Sequence, residues 1–469
     1  MNLFKNTKND NNSKCSFKLE CNISENLGRF NLLPFGILAF AYLAIGINCY
    51  FRGVLEGFFT LLVPMSIISA LLIVVSEILC IDTALTAAFL FLINLGYLYQ
   101  VVLSNAAINP VDVNSLWKTE VFASILGLIG AVAVILALER FSQSSLMKIV
   151  LVVESLIMLI TLVKGSSTGG VKAWVYIGGM SIQTTELIRF LTAFSYVLVF
   201  TNSAMTDKQK VIMSDIVSAF NFMFLLFVNE IGTLMTLGIL LVLLQFIFIE
   251  DRKIRVLALL AIAGMFILCV LLVYLLNSMY KAGFVFKLTK LAANIFDKIE
   301  KRFLLIKTPE AFDPNAEGYQ QDRAMRAILL GGFFGGDADI HVPVRESDYA
   351  FPVIIMKFGL IMGFMIIIAF AVILLKSIDA IYSSDSDRDI AIVISCSLTI
   401  FLTSMLTIMG SSSFIPISGQ PISFISNGGS NALICYMSLL LILYYSQSKF
   451  RVGFYRKELL CPIRRHATN

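Results

Sequence analysis

Long apolar stretches alternate with short polar ones along most of the chain. A helix rises about 1.5 Å per residue, so about 20 apolar residues cross the roughly 30 Å hydrocarbon core of a bilayer. Windows of this kind begin near Phe30, Phe58, Ala84, Val121, Ile149, Leu187, Val211, Gly232, Val256, Phe351, Ile390 and Asn431. The pattern predicts an all-α polytopic membrane protein with about twelve transmembrane helices.

Composition narrows the class of protein further. Of the 469 residues, 58% are hydrophobic and 14% are charged, whereas an average soluble domain carries roughly 25% charged residues. A soluble enzyme, a disordered protein and a nucleic-acid binder are therefore excluded. The net charge of +5 implies no acidic polymer as a partner. The 8 cysteines are scattered without CxxC spacing, which supports neither a disulfide framework nor a metal site.

Basic residues predict the orientation of the spans. Cytoplasmic connections should carry the excess of Lys and Arg. They do so when the N-terminus is placed inside, as in the run Arg252, Lys253 and Arg255. Both termini are therefore predicted to be cytoplasmic. No short apolar core with a small-residue cleavage site follows the polar segment 1–29, so no cleaved signal peptide is expected.

The longest connection, at about 276–350, follows the ninth span and is predicted to lie outside. Apolar residues recur at helical spacing between 284 and 303, with lysines and Arg302 between them, which predicts an amphipathic helix. Two placements stay open: on the outer membrane surface, or packed on the top of the bundle. The polar, Gly- and Ser-rich connections 164–185 and 410–430 also lie outside, so the three are expected to form one outward-facing site.

Charged side chains inside the spans are candidates for function because a charge within a membrane is costly. They are Glu77, Glu154, Glu186, Arg189, Asp215, Glu230 and Lys357. Glu186 and Arg189 are three residues apart and therefore face the same side of their helix. Mutual neutralisation is the structural alternative to a functional role, and the sequence leaves both open.

Four stretches carry a specific resemblance. In chain order they are 170–189, 229–233, 320–349 and 415–430, and the last reads IPISGQPISFISNGGS. Their residues and spacing resemble the motifs of the SEDS family (shape, elongation, division and sporulation). The resemblance covers most of the chain from about 165 to 445.

For the fold, the resemblance implies a ten-helix core with a large extracytoplasmic loop. The twelve predicted spans exceed these ten by two, and two extra spans at the N-terminus account for the excess. An even number of extra spans leaves every motif on the same side of the membrane. The predicted parts are a polar cytoplasmic tail, N-terminal spans that include the two extra ones, a SEDS-like core that contains the loop 276–350, and a basic cytoplasmic tail. They occupy residues 1–29, 30–163, 164–450 and 451–469.

For function, the resemblance implies a peptidoglycan glycosyltransferase of the bacterial cytoplasmic membrane. Such enzymes polymerise lipid II at the outer face, where the hydroxyl of one sugar attacks the anomeric carbon of another and a lipid pyrophosphate leaves. The implied partners are lipid II, the nascent glycan strand, membrane lipid and a class B penicillin-binding protein acting as transpeptidase, with no nucleic acid. No cofactor is implied, and a divalent cation that assists the pyrophosphate stays open.

The chemistry needs one proton acceptor and a means of stabilising the leaving pyrophosphate. Asp348 matches the family's essential aspartate and is the implied general base. Lys172, Arg189 and Arg345 are candidate pyrophosphate contacts. Arg189 stands where the family has a lysine, and the two side chains differ in geometry.

Other motif positions are candidates for binding substrate. Trp174 packs against a sugar face or anchors at the membrane interface. Ser426 and Ser430 offer hydroxyls, although Ser430 is equally suited to cap a helix. Further candidates, some of which shape a tightly turned loop, are Gln183, Glu186, Pro416, Gly419, Pro421, Gly428 and Gly429.

Some positions depart from the family's motifs. Met356 and Lys357 stand where the family carries a Glu pair, and Thr184 replaces a Pro. Lys357 is expected either to pair with Glu154 or Glu186 or to contact the pyrophosphate. The departures leave substrate detail undecided.

Two rival functions stay open. A lipid II flippase would also need charges within the membrane, and a catalytically weak scaffold of a division or sporulation complex would fit the lost Glu pair. The outward clustering of the motifs favours chemistry at one face. Asp337 and Asp339 have the spacing of a metal-binding DxD, but the spacing is interpreted as coincidence because no α/β domain surrounds it.

Overall fold

The structure, a computed structural model, describes 55–79, 81–104, 113–168, 171–177, 180–307, 318–384 and 386–446, with a few positions between 39 and 50. The chain is almost entirely helical there. The helices are α1 Leu55–Leu79, α2 Thr83–Ser104, α3 Val113–Arg140, α4 Gln143–Lys164, α5 Thr184–Phe200, α6 Asp207–Phe227, α7 Ile231–Phe248, α8 Arg252–Lys281, α9 Lys287–Lys307, α10 Tyr319–Gly331, α11 Ala350–Ser383, α12 Asp387–Ser411 and α13 Gly429–Tyr445. The strands are β1 Ser166–Thr168, β2 Val171–Ile177 and β3 Met180–Gln183.

Within the described residues, 9 helices are long and apolar enough to cross a membrane. Helices α5 and α13 are shorter, with 17 residues each. Every predicted span from Phe58 onward coincides with a helix. The predicted span near Phe30 lies largely outside the described residues, and the tails 1–29 and 451–469 lie entirely outside them. The helical membrane fold is therefore confirmed, whereas the count of twelve is not.

Four helices begin at capping residues that the sequence supplies. Ser142 and Ser386 each accept a hydrogen bond from a backbone N–H of the first turn. Thr206 forms a capping box with Gln209, and Asp251 accepts from two backbone N–H groups. These side chains satisfy donors that a helix leaves unpaired at its start. They begin α4, α6, α8 and α12, at the end of the bundle that the basic connections predict to be cytoplasmic.

A three-stranded antiparallel sheet, with strand order β1-β2-β3, lies between α4 and α5. Trp174 of β2 pairs with Ser166 of β1 and Gln183 of β3. Alternate residues of β2 are buried, as at Ala173 and Val175, which is the period of a half-buried strand. The prediction of a wholly helical chain did not include this sheet.

The apolar core has two parts. One cluster joins α1–α3, α11 and α13, and the other joins α5, α6 and α7. Helix α8 is different, because Ala258 and Asn277 are its buried residues and its apolar side chains are exposed nearly all round. A helix that is apolar on every side and not covered by protein is suited to lipid contact.

Helix α11 is broken at Gly359, whose φ of 87° is left-handed. In a regular helix Leu360 N would donate to Met356 O. Here Leu360 N donates to Gly332 O at 2.9 Å, and Met356 O accepts from Gly336 N at 3.1 Å. The glycine-rich segment after α10 therefore replaces the hydrogen bonds that the break removes, which fixes α10 against α11.

The predicted amphipathic helix is α9. Its buried residues include Ala292, Ala293 and Ile295, and Phe296 lies 6.2 Å from the Tyr274 ring of α8. Other apolar residues of α9, such as Leu288, are exposed. The helix thus packs on the bundle through one face, as one of the two predicted placements requires, while placement on the outer membrane surface stays a prediction.

Candidate active site

Asp348 lies in the turn directly before α11, and the backbone that leads to it is held by three hydrogen bonds. The carbonyl groups of residues 345–347 accept from Tyr99 Oη at 2.6 Å, from Asn427 N at 2.8 Å and from Ser426 Oγ at 2.7 Å. The donors belong to α2 and to the loop between α12 and α13. Two distant parts of the chain therefore fix the position of the Asp348 carboxyl.

Gly419 lies against Asp348 and Arg302. A Cβ placed on Gly419 would be 3.8 Å from both Asp348 Oδ2 and Arg302 Nη2. Arg302 reaches this point from α9, where its Nη1 donates to Ile417 O at 2.6 Å. The φ of 72° at Gly419 favours glycine, and the bare backbone leaves the space between carboxylate and guanidinium open.

Burial raises the pKa of the Asp348 carboxyl above its ordinary value, and the nearby charge of Glu186 raises it further. A hydrogen bond from Ser347 and the Arg302 charge oppose this shift. Burial in turn lowers the pKa of Arg302, against the charges of Glu230 and Asp348. The site therefore joins a carboxyl with increased proton affinity to a partly buried cation.

Glu186 and Arg189 form a buried ion pair on the first two turns of α5. With its side-chain oxygen turned toward Arg189, Gln420 accepts from Arg189 Nη1 at 3.2 Å and from Thr233 N at 3.0 Å. Gln420 follows Gly419, so the pair is joined to the Asp348 site through the loop. Mutual pairing, one of the two possibilities that the sequence left open for Glu186 and Arg189, is thus observed.

The predicted substrate hydroxyls are engaged with backbone. Ser426 Oγ accepts from Ile422 N at 2.9 Å besides donating toward the Asp348 turn. Ser430 Oγ accepts from Gln183 N at 2.9 Å and so ties α13 to the start of α5. Capping by Ser430, the alternative that the sequence left open, does not occur, because α13 begins one residue earlier and Gly428 holds the cap position.

The basic and aromatic residues of the sheet lie apart from these contacts. Lys172 Nζ donates to Leu162 O at 2.8 Å, at the last turn of α4. Trp174 is half-buried in the centre of the sheet. Thr184, which stands where the family has a Pro, accepts from Thr161 Oγ1 at 2.8 Å and donates to Ala173 O at 3.0 Å.

Arg345 and the remaining predicted loop residues belong to two segments that meet near Asp348. The Arg345 side chain is buried, and its Nε lies 3.9 Å from Glu346 Oε1. Pro416, Pro421, Gly428 and Gly429 belong to the turn-rich segment between α12 and α13 and its junction with α13. This segment carries Gly419 and Gln420 into the site.

Lys357 pairs with Asp339, with 3.4 Å between Nζ and Oδ1. The expected pairing with Glu154 or Glu186 is therefore wrong, because the break in α11 turns Lys357 toward the segment that follows α10. Asp339 therefore has a lysine as its charge partner, which agrees with the interpretation of the DxD spacing as coincidence. Among the described residues, no group of three or more His, Cys, Asp or Glu side chains is arranged to hold a metal ion.

Three residues of the site were not singled out from the sequence. Arg302 is one of several basic residues on the polar face of α9, and nothing in the periodicity distinguishes it from the others. Tyr99 and Gln420 contact residues that are distant along the chain, Arg345 at a separation of 246 residues and Thr233 at a separation of 187. Gln420 lies within the 415–430 motif, and this position was the one feature of the sequence that could have indicated a role in the site.

Comparison with known proteins places the chain in a family. The model of the FtsW/RodA/SpoVE family, described as cell cycle proteins, matches residues 77–450. The chain belongs to this family. The matched region begins near α2, so α1 lies almost entirely before it.

Curated relatives of the family are named as glycosyltransferases or as a sporulation protein. The chain is 25% identical over 380 residues to the probable peptidoglycan glycosyltransferase FtsW of Bacillus subtilis, covering 75% of this chain and 86% of the relative. It is 24% identical over 293 residues to that of Enterococcus hirae, covering 61% and 70%. It is 22% identical to the stage V sporulation protein E of Bacillus subtilis, covering 68% and 84%.

Solved structures support the fold. A chain from a peptidoglycan synthase complex aligns with a TM-score of 0.58 and 16% identity, covering 79% of this protein and 98% of that chain. An aspartate-to-alanine variant of the rod shape determining protein RodA of Thermus thermophilus aligns with a TM-score of 0.50 and 14% identity, covering 78% and 97%.

Proposed function

We propose that the protein is a peptidoglycan glycosyltransferase that polymerises lipid II, with Asp348 as general base. The observation that carries the proposal is the Asp348 carboxyl, which is held by three backbone contacts, has a raised pKa and lies beside Arg302. Relatives named peptidoglycan glycosyltransferase support the reaction class.

The reaction requires one proton acceptor and positive charge that stabilises the leaving pyrophosphate. The acceptor hydroxyl transfers its proton to Asp348 while its oxygen attacks the anomeric carbon of the donor sugar, and the bond to the lipid pyrophosphate breaks. Pyrophosphate leaves as an anion without being protonated, so the second carboxylic acid that glycosidases use is unnecessary. A carboxyl whose pKa is raised toward the working pH is a better base than an ordinary aspartate.

The leaving pyrophosphate needs positive charge close to Asp348. Arg302 supplies it most directly, since its guanidinium and the Asp348 carboxyl lie on the same side of Gly419. Arg345 lies three residues from the base and is proposed as a second contact. Arg189 is engaged by Glu186 and Gln420, so its proposed role is to position the loop. Lys172 and Trp174 are proposed to contact substrate from the sheet.

Polymerisation of labelled lipid II by purified protein tests the role of Asp348. Replacing Asp348 by Asn removes the base and should lower the rate on the order of 10²–10⁴-fold. Asp337→Asn changes an exposed carboxyl of the same connection and should leave the rate unchanged. Glycan formation at the wild-type rate by the Asp348→Asn variant would contradict the proposal.

The same preparation separates the rival functions. If neither protein makes glycan in the presence of its transpeptidase partner, a scaffold is favoured. If labelled lipid II crosses vesicle membranes equally well with Asp348→Asn, a flippase is favoured. The proposed partner is a class B penicillin-binding protein, and the structural similarity to a chain of a peptidoglycan synthase complex supports that class. The proposed location is the bacterial cytoplasmic membrane, with both termini cytoplasmic.

A further inference from the structure

Another buried carboxyl lies at the centre of α4. Glu154 is 0% exposed and stands about midway between the ends of Gln143–Lys164. At a rise of about 1.5 Å per residue, roughly 15 Å of helix separates it from either end. The proposed glycosyl transfer does not use this residue, because Glu154 contacts Thr192 in the middle of α5, whereas Asp348 lies near Glu186 in its first turn.

Only one of the two Glu154 carboxyl oxygens has a hydrogen-bond partner. Thr192 Oγ1 donates to Glu154 Oε1 at 2.6 Å. The Asn221 amide also lies against the carboxyl, and its Nδ2 donates to Val217 O at 3.0 Å. Glu154 Oε2 and Asn221 Oδ1 are both buried and have no hydrogen-bond partner. Both are acceptors, and because the Asn221 amide lies against the carboxyl, one proton carried on Glu154 Oε2 would satisfy both.

We propose that Glu154 is a proton-binding site in the centre of the bundle, with the proton carried on Oε2 and donated to Asn221 Oδ1. In the described part of the chain the carboxyl has hydrogen-bonding neighbours but no ion pair. A carboxylate without a counter-ion is costly in an apolar interior, and binding a proton removes the charge. The same proton supplies the missing donor.

Further polar side chains lie between Glu154 and the capped end of the bundle. Tyr196, one turn beyond Thr192 on α5, is 2.7 Å from Ser218 Oγ of α6. Ser218 Oγ donates to Ser214 O at 2.6 Å, and Gln245 Nε2 of α7 donates to Ser214 Oγ at 3.2 Å.

The last of these side chains is Asp215, whose Oδ1 accepts from Gln245 Nε2 at 2.8 Å. Asp215 is partly exposed, eight residues into Asp207–Phe227. We therefore assign this end as the route by which the proton comes from water and returns to it. No other bond is made or broken.

The charged groups on the packed elements do not replace the proton. On α5, Arg189 is paired with Glu186. On β2, Lys172 donates to Leu162 O, eight residues along α4 from Glu154. Asp215 of α6 carries the same sign as a Glu154 carboxylate. Tyr196 is hydrogen-bonded to Ser218.

Infrared difference spectroscopy of the full chain in lipid nanodiscs tests the site directly, since a protonated carboxyl has a C=O stretch that a carboxylate lacks. We expect such a band at neutral pH in the wild type and its loss in Glu154→Gln. Asn221→Ala should shift the band, because it removes the acceptor. Asp215→Asn should keep the band but slow the exchange of its proton for deuterium.

Each outcome bears on the site alone and not on glycan synthesis. The proposal is overturned if the wild-type spectrum contains no such band that is absent from the spectrum of Glu154→Gln, since any band common to both belongs to other buried carboxyls. A band that disappears when Na⁺ is added at constant pH also overturns it, since a monovalent cation would then be the occupant. If Glu154→Gln fails to fold, a band at an unchanged frequency in Asn221→Ala contradicts the assigned hydrogen bond.

Discussion

At the residue scale, Arg302 sets the charge of the Asp348 site. Its guanidinium lies beside the carboxyl, and its contact with Ile417 O holds it to the loop between α12 and α13. Sequence patterning could not single it out, because α9 carries several basic residues at equivalent positions. Asp348, in contrast, was predictable because it stands within an ordered motif.

Replacing Arg302 by Gln should change both the rate and its pH dependence. In the proposed mechanism the Asp348 carboxylate is the base, so the rate should fall as pH decreases through the Asp348 pKa, which burial raises and Arg302 lowers. Losing the Arg302 charge raises that pKa, so the acidic limb of the rate profile should move to higher pH. The maximal rate should also fall on the order of 10²-fold, because a stabilising charge is lost.

The matched control is Arg302→Lys, which keeps the charge and loses the planar fork. Its acidic limb should stay close to that of the wild type, while the maximal rate is only partly restored. The measurement is lipid II polymerisation between mildly acidic and neutral pH. An acidic limb that does not move in Arg302→Gln would show that the charge does not act on Asp348.

At the element scale, the helices follow from apolar length and the caps from local sequence. The sheet was missed because β1–β3 are short and lie in a polar connection, although the alternation in β2 was a usable signal. The break in α11 was also missed. A glycine such as Gly359 inside an apolar run predicts little, because its effect depends on hydrogen bonds to the segment after α10, which is distant along the chain.

Gly335→Ala should destabilise the packing of α10 against α11. A Cβ there would lie 2.3 Å from Lys357 O, a contact that the backbone must move to relieve. Gly332→Ala is the matched control, because Gly332 also has a positive φ but no atom lies within 4 Å of its Cβ. Gly335→Ala should lower the free energy of unfolding by about 1–3 kcal/mol more than Gly332→Ala does. The measurement is the thermal midpoint of unfolding, which should be lower for Gly335→Ala. Equal midpoints would contradict the close packing.

At the scale of the whole molecule, the two ends of the bundle differ in the groups that they carry. The Asp348 site, the sheet, α9 and the loop before α13 gather at one end, while the capped ends of α4, α6, α8 and α12 and the basic connections gather at the other. Polymerisation at the outer face requires the Asp348 end to be outside. The excess of Lys and Arg predicts the same orientation, independently of the site.

Labelling of introduced cysteines by a membrane-impermeant maleimide on intact cells tests this orientation. In a variant without the 8 native cysteines, Ala282→Cys in the turn between α8 and α9 should react. Ser203→Cys in the turn between α5 and α6 should react only after the cells are opened. Both positions are exposed in the fold, so a difference in labelling reports the side of the membrane and not burial. The reverse pattern would place Asp348 in the cytoplasm, where the polymerisation proposed here does not occur.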